Sequence, residues 1–278
     1  MQQRITQPAP MSEHDEQVLR TKVLEEVSAH PPTIGVIGIS GVGKSSTINT
    51  LLGAALPTSD TVACTKEFWS VSAELAFTHG RSRGLAAHLQ VIDAPGLGED
   101  VRRDQEYLAA YRRHLPRCDV VLWLMAARNR AVALDQRYLQ QLSDCHPRMV
   151  FGLNQVDLIE PLDWHPTLNL PSEGQRRSIG QITHDRQARL ADALQRDIRM
   201  IPYSAKARYN LQGLFTAIVE ACPEDRAWLF SSLKNFTYDD FLTAEARQVI
   251  ETTRQPASGV LSLLTQRLGL TSPSTATE

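Results

Sequence analysis

Short apolar runs alternate along this chain with longer segments whose hydrophobic residues recur every three or four positions. The apolar runs are typical of strands buried on both faces, and the periodic segments are typical of helices that cover a sheet. Six strands are predicted, over residues 34–37, 67–75, 85–92, 120–125, 149–153 and 198–203. Helices are predicted over residues 46–52, 104–115, 133–142, 175–194 and 211–219. This alternation predicts an α/β fold of three layers, with helices on both faces of a mostly parallel six-stranded sheet.

The alternating pattern occupies residues 31–222, which we expect to form one domain. Residues 1–30 are predicted to be an N-terminal extension with one helix, which begins near Ser12 and ends before two consecutive prolines. After residue 222 the alternation stops, and residues 223–278 are predicted to form a small helical appendage with a loose tail. The sequence therefore predicts one α/β domain with helical extensions at both ends.

Composition narrows the class of protein without choosing a function. The 278 residues are 42% hydrophobic and 22% charged, and the formal net charge is −2, which gives no bulk electrostatic reason to expect nucleic acid or an anionic membrane as a partner. The four cysteines are widely spaced, so neither a disulfide framework nor a metal site is expected. The start of the chain shows no signal-peptide pattern, and the longest apolar stretch, Val120 to Ala127, is too short to span a membrane. We therefore expect a cytoplasmic protein.

A phosphate-binding motif lies between the first predicted strand and the helix that follows it. Residues 38–45 read Gly-Ile-Ser-Gly-Val-Gly-Lys-Ser and match G-x-x-x-x-G-K-[ST] at every fixed position. Glycines let several backbone N–H groups converge on one phosphate, and the helix N-terminus adds positive charge. We expect Lys44 to reach the β- and γ-phosphates and the Ser45 hydroxyl to bind Mg²⁺. The residues expected to surround the phosphates are Ser40, Gly41, Val42, Gly43, Lys44, Ser45 and Ser46.

A second motif closes the third predicted strand. Asp93-Ala94-Pro95-Gly96 matches D-x-x-G. We expect the Asp93 carboxylate to hold Mg²⁺ through water and the Gly96 backbone N–H to sense the γ-phosphate. Alone this pattern is common, but its position after a strand and downstream of the phosphate-binding loop favours a nucleoside triphosphate site.

A third motif, Asn154-Gln155-Val156-Asp157, follows the fifth predicted strand and indicates which base is bound. A carboxylate at Asp157 can accept hydrogen bonds from N1–H and the 2-amino group of guanine, whereas adenine offers no such donors. An unpaired buried carboxylate costs roughly 1–3 kcal/mol, so this site would reject adenine. Asn154, Gln155 and Asp157 are therefore predicted to bind guanine.

The last motif, Ser204-Ala205-Lys206, follows the sixth predicted strand. We expect the Ala205 backbone N–H to contact the guanine carbonyl and the Lys206 stem to pack on the base. The tripeptide is uninformative by itself, but its position behind the other three motifs favours GTP and GDP as ligands.

In this order, the four motifs resemble the G1, G3, G4 and G5 motifs of Ras-like GTPases. Asp93–Gly96 and Cys64-Thr65-Lys66 are similar to the Era-type bacterial branch, and more narrowly to stand-alone Era-like GTPases described as ribosome-binding GTPase-like. The resemblance covers about residues 33–222 and implies a P-loop GTPase domain that hydrolyses GTP with Mg²⁺. It also implies a switch I threonine that binds Mg²⁺ and contacts the γ-phosphate. Thr65 fits that role best and Thr61 is the alternative, so Lys44, Thr65 and Gly96 are the residues expected to act on the γ-phosphate.

Three positions depart from the family pattern. Gln155 replaces the usual lysine, so we expect guanine selectivity to persist through Asp157 while affinity weakens. Leu97 stands where Ras-like enzymes have the glutamine that orients the attacking water, which predicts slow intrinsic hydrolysis. Gly41 stands where several potassium-stimulated relatives have asparagine, so no strong potassium requirement is expected.

The favoured interpretation is a GTP-hydrolysing molecular switch, in which hydrolysis releases switch I around Thr65 and switch II over residues 96–103. The alternative is a guanine-nucleotide-dependent dimerising or scaffold module with little intrinsic hydrolysis. A P-loop ATPase or kinase is disfavoured because it would need neither Asp157 nor the Ser204-Ala205-Lys206 motif. The partners expected besides the nucleotide are an unknown protein effector or activator and a nucleotide-dependent second copy. Binding to the ribosome or RNA rests on family analogy alone.

Overall fold

The computed structural model of the protein describes residues 30–52, 69–76, 86–98, 101–142, 144, 148–165 and 168–226, together with residues 14, 18, 21, 25 and 29. The strands in this part of the chain are β1 (Thr33–Gly38), β2 (Trp69–Ala76), β3 (Ala86–Asp93), β4 (Val120–Ala126), β5 (Met149–Asn154), β6 (Trp164–His165), β7 (Leu170–Pro171) and β8 (Met200–Pro202). The α-helices are α1 (Lys44–Leu52), α2 (Val101–His114), α3 (Ala133–Leu142), α4 (Glu173–Leu194) and α5 (Leu211–Glu220).

Six strands form one sheet in the order β2-β3-β1-β4-β5-β8. The neighbouring pairs from β3 to β8 are all parallel, and only the edge strand β2 runs antiparallel to β3. The predicted α/β fold with a mostly parallel six-stranded sheet is therefore confirmed. The β6–β7 hairpin was not predicted from the sequence. Each of its strands has only two residues, which is too short for an alternating pattern, and a proline lies in β7.

The core has one layer on each face of the sheet, and β4 shows how the sequence divides it. Leu122 and Leu124 belong to one cluster of buried residues, while Val121, Trp123 and Met125 belong to the other. All five side chains are buried, because parallel strands in the middle of such a sheet are covered by helices on both faces. The uninterrupted apolar run in the sequence follows from that double coverage.

The predicted extensions are described only in small part. The five described positions between residues 14 and 29 are helical, and the structure describes nothing beyond residue 226 of the predicted appendage at 223–278. None of the helices in the described part of the chain is long and apolar enough to cross a bilayer.

A buried carboxyl group links β4 to the helix that covers it. Trp123 Nε1 donates to Asp135 Oδ1 at 2.9 Å, and Asp135 is 2% exposed. Burial raises the pKa of Asp135 to about 7, although the Trp123 hydrogen bond and the nearby Arg186 act in the opposite direction. The folded protein therefore binds this proton more tightly than the unfolded chain, in which an Asp carboxyl has a pKa of about 4.

This carboxyl group should make stability depend on pH. The contribution of this carboxyl group to the free energy of unfolding is fully present below about pH 4. It is lost as the pH rises through the folded-state pKa of about 7. Asp135→Asn keeps the oxygen that accepts from Trp123 and cannot ionise. We expect the variant to gain about 2–4 kcal/mol over the wild type between pH 5 and pH 8.

Urea unfolding of both proteins across that pH range measures the difference. Asp192→Asn, which removes an exposed carboxylate, controls for the loss of one negative charge. A constant difference between wild type and Asp135→Asn from pH 5 to pH 8 would contradict a protonated buried carboxyl group.

Candidate nucleotide-binding site

The four sequence motifs meet at one edge of the sheet. The P-loop follows β1, the D-x-x-G loop begins at the last residue of β3, and the N-x-x-D turn begins at the last residue of β5. The Ser204-Ala205-Lys206 loop follows β8 in the same way. Since these four strands are parallel, their carboxyl ends lie on the same side, where ligands of open α/β sheets bind.

The P-loop turns at glycines whose backbone conformation disfavours other residues. Gly41 has φ +76° and Gly43 has φ +87°, both in the left-handed region. Lys44 is buried, and its Nζ donates to the backbone carbonyls of Gly38 at 3.4 Å and Ile39 at 3.2 Å. The Lys44 side chain therefore lies along the P-loop, where the phosphates are expected to bind.

A hydroxyl and a carboxylate lie together beside the P-loop. Ser45 Oγ donates to Asp93 Oδ2 at 2.8 Å, and Asp93 is 1% exposed. Mg²⁺ takes oxygen ligands and is usually bound by one or two carboxylates together with substrate phosphates, so this pair of predicted metal residues fits the ion. Thr65 and the alternative Thr61 lie outside the described residues, and the switch I assignment stays a prediction.

The D-x-x-G loop packs directly on the P-loop. The Ser40 N–H donates to the Leu97 carbonyl at 2.9 Å, and the Leu97 N–H donates to the Gly38 carbonyl at 3.3 Å. A Cβ on Gly96 would lie 2.6 Å from Ser40 Cα, so only glycine fits this close approach. Any movement of the residue expected to sense the γ-phosphate therefore has to displace the P-loop backbone or break these contacts.

Two helices hold the same loop from its other side. The Tyr111 hydroxyl of α2 donates to the Pro95 carbonyl, and the Gly98 N–H donates to Asp104 Oδ1 at 2.9 Å. The Tyr138 hydroxyl of α3 donates to the other oxygen of Asp104. Burial raises the pKa of Tyr111 well above its ordinary value, so the phenol stays a hydrogen-bond donor. Sequence reasoning missed these three side chains, since only the folded chain brings the two helices to the loop.

Two consecutive amide side chains join the N-x-x-D turn to the P-loop. Asn154 Nδ2 donates to the Val42 carbonyl at 2.9 Å, and Asn154 Oδ1 accepts from the Ala205 N–H at 3.0 Å. Gln155, in the left-handed conformation with φ 65°, donates from Nε2 to the Gly41 carbonyl at 3.1 Å. Gln155, which stands where the family pattern has lysine, therefore joins this turn to the P-loop.

The Ala205 N–H has a partner within the protein. It donates to Asn154 Oδ1, whose side chain is buried and needs a donor. The predicted contact of the Ala205 N–H with the guanine carbonyl stays a prediction. Lys206 is exposed beside this loop, and its predicted packing on the base stays a prediction.

Asp157 lies in a short 3₁₀ turn over Val156–Leu158. Gln175 of α4 fixes the turn, because its Nε2 donates to the backbone carbonyls of Asp157 at 3.3 Å and Ile159 at 2.8 Å. The side-chain atom Asp157 Oδ1 is buried and has no hydrogen-bond partner among the described residues. A buried carboxylate oxygen without a donor costs about 1–3 kcal/mol, so a base that carries N–H groups fits this position.

Comparisons with known proteins agree with this geometry. Residues 33–155 match the family described as 50S ribosome-binding GTPase. In Escherichia coli K12, the uncharacterized protein YfjP is 33% identical over 161 residues, which cover 57% of this chain and 52% of YfjP. The uncharacterized protein YkfA of the same strain is 38% identical over 141 residues, or 50% of this chain and 46% of YkfA. The chain thus spans about half the length of these relatives.

Among solved structures, an Era variant from Aquifex aeolicus bound to GDP and aluminium fluoride matches with a TM-score of 0.51 and 20% identity, over 69% of this chain and 57% of Era. Era in complex with MgGDPNP and nucleotides of 16S ribosomal RNA matches with a TM-score of 0.50 and 19% identity, over the same shares of the two chains. These likenesses show the fold, and the family match supports binding of a guanine nucleotide. The described chain therefore has the P-loop GTPase fold, and its residues 33–155 match the 50S ribosome-binding GTPase family.

Proposed function

We propose that the chain is a Mg²⁺-dependent molecular switch that binds GTP and hydrolyses it slowly to GDP and phosphate. The observation that carries the choice of base is the buried, unpartnered Oδ1 of Asp157, which lies on the turn that Asn154 and Gln155 tie to the P-loop. Guanine offers that oxygen a hydrogen-bond donor and adenine does not. The site therefore binds guanine more tightly, because bound adenine would leave the buried oxygen unpaired.

The phosphate end of the site is assigned from the residues around the P-loop. Lys44 lies along the loop and contributes positive charge toward the β- and γ-phosphates, while Ser45 and Asp93 supply the oxygen atoms that would hold Mg²⁺. Bound Mg²⁺ would neutralise phosphate charge as the bond to the γ-phosphate breaks. Gly96, pressed against Ser40, presents its backbone beside the loop and is the proposed γ-phosphate sensor.

The structure supports slow hydrolysis because of where Leu97 lies. Its side chain is fully buried in the same cluster as Ile37 and Trp123, and its backbone is hydrogen-bonded to the P-loop on both sides. An apolar, buried side chain cannot orient a water molecule. We therefore propose that rapid turnover needs a group supplied by a protein activator or a second copy of the chain.

Nucleotide binding and phosphate release test the proposal together. Purified protein should bind GDP and GTP at least tenfold more tightly than ADP and ATP, and chelation of Mg²⁺ should lower GTP affinity. Single-turnover phosphate release by the isolated protein should be slower than one per minute. Equal affinities for GDP and ADP would refute the guanine assignment, and release at many per second would refute slow hydrolysis.

Leu97→Gln should not create a fast GTPase. The new amide would enter an apolar cluster, so we expect a loss of about 2–3 kcal/mol of unfolding free energy and no more than a twofold change in phosphate release. Leu134→Gln makes the same chemical change at a leucine that is 38% exposed on α3, and should lose less than 0.5 kcal/mol. A tenfold faster rate in Leu97→Gln would show that residue 97 reaches the nucleotide.

A second candidate is a guanine-nucleotide-dependent dimerising or scaffold module with little hydrolysis, and the burial of Leu97 also favours it. The two candidates differ in their products. A switch releases phosphate and changes its partner with the nucleotide, whereas a scaffold would change oligomeric state between GDP and a non-hydrolysable GTP analogue without releasing phosphate. Sedimentation velocity with each nucleotide, alongside phosphate release, separates them.

The ribosome is the proposed partner, and this proposal rests on the family description alone. Co-sedimentation of purified ribosomes with protein bound to GDP or to a non-hydrolysable GTP analogue tests it. Binding that is stronger with the GTP analogue is the expected result, and no co-sedimentation with either nucleotide would remove the ribosome as a partner.

A further inference from the structure

A second cavity lies beside the N-x-x-D turn at residues 154–157. None of the residues that line it belongs to the four motifs. Its volume is about 740 Å³, which is within the range of small-molecule sites. The segment after β4, the segment that follows Asp157 and the inner face of α4 form its walls. The cavity is therefore a place in the fold that the proposed GTP site does not use.

Arginine dominates the charged lining of this cavity. Arg128 and Arg130 come from the segment after β4, and Arg186 and Arg189 come from α4. Two carboxylates, Asp185 and Glu160, also line it. Four guanidinium groups against two carboxylates leave an excess of positive charge, although the whole chain carries a net charge of −2.

One of the two carboxylates is already paired within the wall. Asp185 Oδ2 accepts from Arg186 Nη1 at 2.6 Å, and Asp185 Oδ1 accepts from Arg189 Nε at 2.9 Å. Asp185 therefore bridges the guanidinium groups of Arg186 and Arg189. The other carboxylate, Glu160, is exposed at the rim.

Arg186 is a fixed part of the wall and not a surface side chain. It is 6% exposed, and its Nη2 donates to the Asn129 carbonyl at 2.9 Å, which also anchors the segment that carries Arg128 and Arg130. Its Nε is buried, and no residue in the described part of the chain makes a hydrogen bond to it. Arg186 and Arg189 share the single carboxylate Asp185, so this wall keeps an excess of positive charge beside two exposed arginines.

Two exposed arginines lie beside this wall. Arg128 and Arg130 are exposed and make no ion pair or side-chain hydrogen bond within the described residues. Guanidinium groups bind phosphate and carboxylate oxygens through two parallel hydrogen bonds, so unpaired arginines at a cavity that already contains a buried one favour an oxyanion ligand. The apolar residues Leu158, Ile159 and Ile182 of the same cavity could cover an organic body.

We propose that this arginine-lined cavity binds the phosphate group of a small phosphorylated ligand, at a site separate from the P-loop. The phosphate could belong to an inorganic polyphosphate or to an organic phosphate such as a nucleotide, and the shared chemistry is a phosphate oxyanion held by Arg128, Arg130 and the Arg186 wall.

Isothermal titration of protein loaded with GDP and Mg²⁺, with excess nucleotide removed, tests the site while the P-loop is occupied. The titrants are pyrophosphate and ATP, whose adenine the guanine site rejects. Arg128→Gln/Arg130→Gln should raise the dissociation constant of the bound titrant at least tenfold. Arg176→Gln/Arg177→Gln removes the same charge from exposed arginines of α4 outside the cavity lining and should change the constant less than twofold. Thermal unfolding checks that both double variants fold.

Tighter binding of ATP than of pyrophosphate would support an organic phosphate, and equal binding would support the phosphate group alone. Three results would overturn the proposal: no binding of either titrant at millimolar concentration, binding that survives Arg128→Gln/Arg130→Gln, or an equal loss in the control pair. Binding of a short RNA duplex that depends on Arg128 and Arg130, without binding of either titrant, would also overturn it. Each of these outcomes is independent of whether the protein hydrolyses GTP.

Discussion

Asp157→Asn is expected to weaken GDP binding by about a hundredfold and to strengthen binding of xanthosine diphosphate by a similar factor. The carboxylate can accept from both N1–H and the 2-amino group of guanine, and hydrogen bonds to charged groups contribute about 1.5–3 kcal/mol each. Loss of about 2.8 kcal/mol corresponds to a hundredfold change in affinity. Xanthine carries a carbonyl where guanine has its amino group, so the asparagine amide can donate to it.

The structure also predicts how this variant behaves without nucleotide. Asp157 Oδ1 is buried and has no hydrogen-bond partner among the described residues, so replacing the carboxylate with an amide breaks no contact of that atom and should not lower the unfolding free energy of the nucleotide-free protein. A structural defect would instead lower stability and weaken all nucleotides together.

Titration of GDP, xanthosine diphosphate and ADP into wild type and Asp157→Asn measures the exchange of base specificity. Glu160→Gln is the matched control, since it neutralises an exposed carboxylate three residues away and should leave GDP affinity within twofold. An equal loss for all three nucleotides in Asp157→Asn would contradict direct recognition of the base by this side chain.

The outline of the site was predictable because parallel strands bring their carboxyl ends together. Once the apolar runs are identified as strands, the residues that follow them, from Ser45 and Asp93 to Asn154 and Ser204, must meet at one edge of the sheet. The hydrogen bond between Ser45 and Asp93 and the bond between Asn154 and Ala205 join residues 48 and 51 positions apart along the chain, and both follow from this convergence.

What the sequence did not predict are the contacts that lock the loops. The backbone hydrogen bonds of Leu97 with Ser40 and Gly38 depend on how two loops stack, which the hydrophobic pattern of the sequence does not indicate. Asp104 accepts from the Gly98 N–H and Tyr138 donates to Asp104, although both lie on helices whose sequences look like ordinary amphipathic surface helices. These contacts are recognised only when the helices are in place, because the sequence pattern does not indicate which side chains of α2 and α3 meet.

The position of the Leu97 side chain is another feature that the sequence did not predict. The motif position predicted a residue near the attacking water, and the missing glutamine suggested slow hydrolysis. The structure adds that the side chain belongs to the core, where it packs in the cluster that contains Ile37 and Trp123. Slow hydrolysis is therefore expected for a second reason besides the missing amide. The backbone of this loop would have to change conformation before the side chain of residue 97 could contact the nucleotide.

Gly43→Ala is expected to damage the site strongly, because the added methyl group meets both an unfavourable backbone conformation and a buried amide. A Cβ at this position would lie 2.5 Å from Asn154 Nδ2, the atom that donates to the Val42 carbonyl. The backbone conformation adds strain of about 1–2 kcal/mol for a residue with a side chain. Displacement of the amide breaks a buried hydrogen bond worth another 1–3 kcal/mol, so we expect a total loss of about 3 kcal/mol in the unfolding free energy.

Gly41→Ala is the matched control, because it carries the strain without the collision. Gly41 has φ +76°, close to the +87° of Gly43, but no atom of the described residues lies within 4 Å of its Cβ position. Its cost should therefore be about 1 kcal/mol, from backbone strain alone. The difference in unfolding free energy between the two variants, measured by urea denaturation without nucleotide, isolates the contact with Asn154.

The same pair of variants tests whether Asn154 couples the two ends of the nucleotide site. Asn154 holds the P-loop through Val42 and the base-side loop through Ala205, so its displacement should loosen the grip on both phosphate and base. We expect Gly43→Ala to weaken GDP binding about tenfold more than Gly41→Ala does, which corresponds to one lost hydrogen bond of about 1.4 kcal/mol. If both variants lose the same affinity, backbone strain accounts for the effect and Asn154 does not couple the loops.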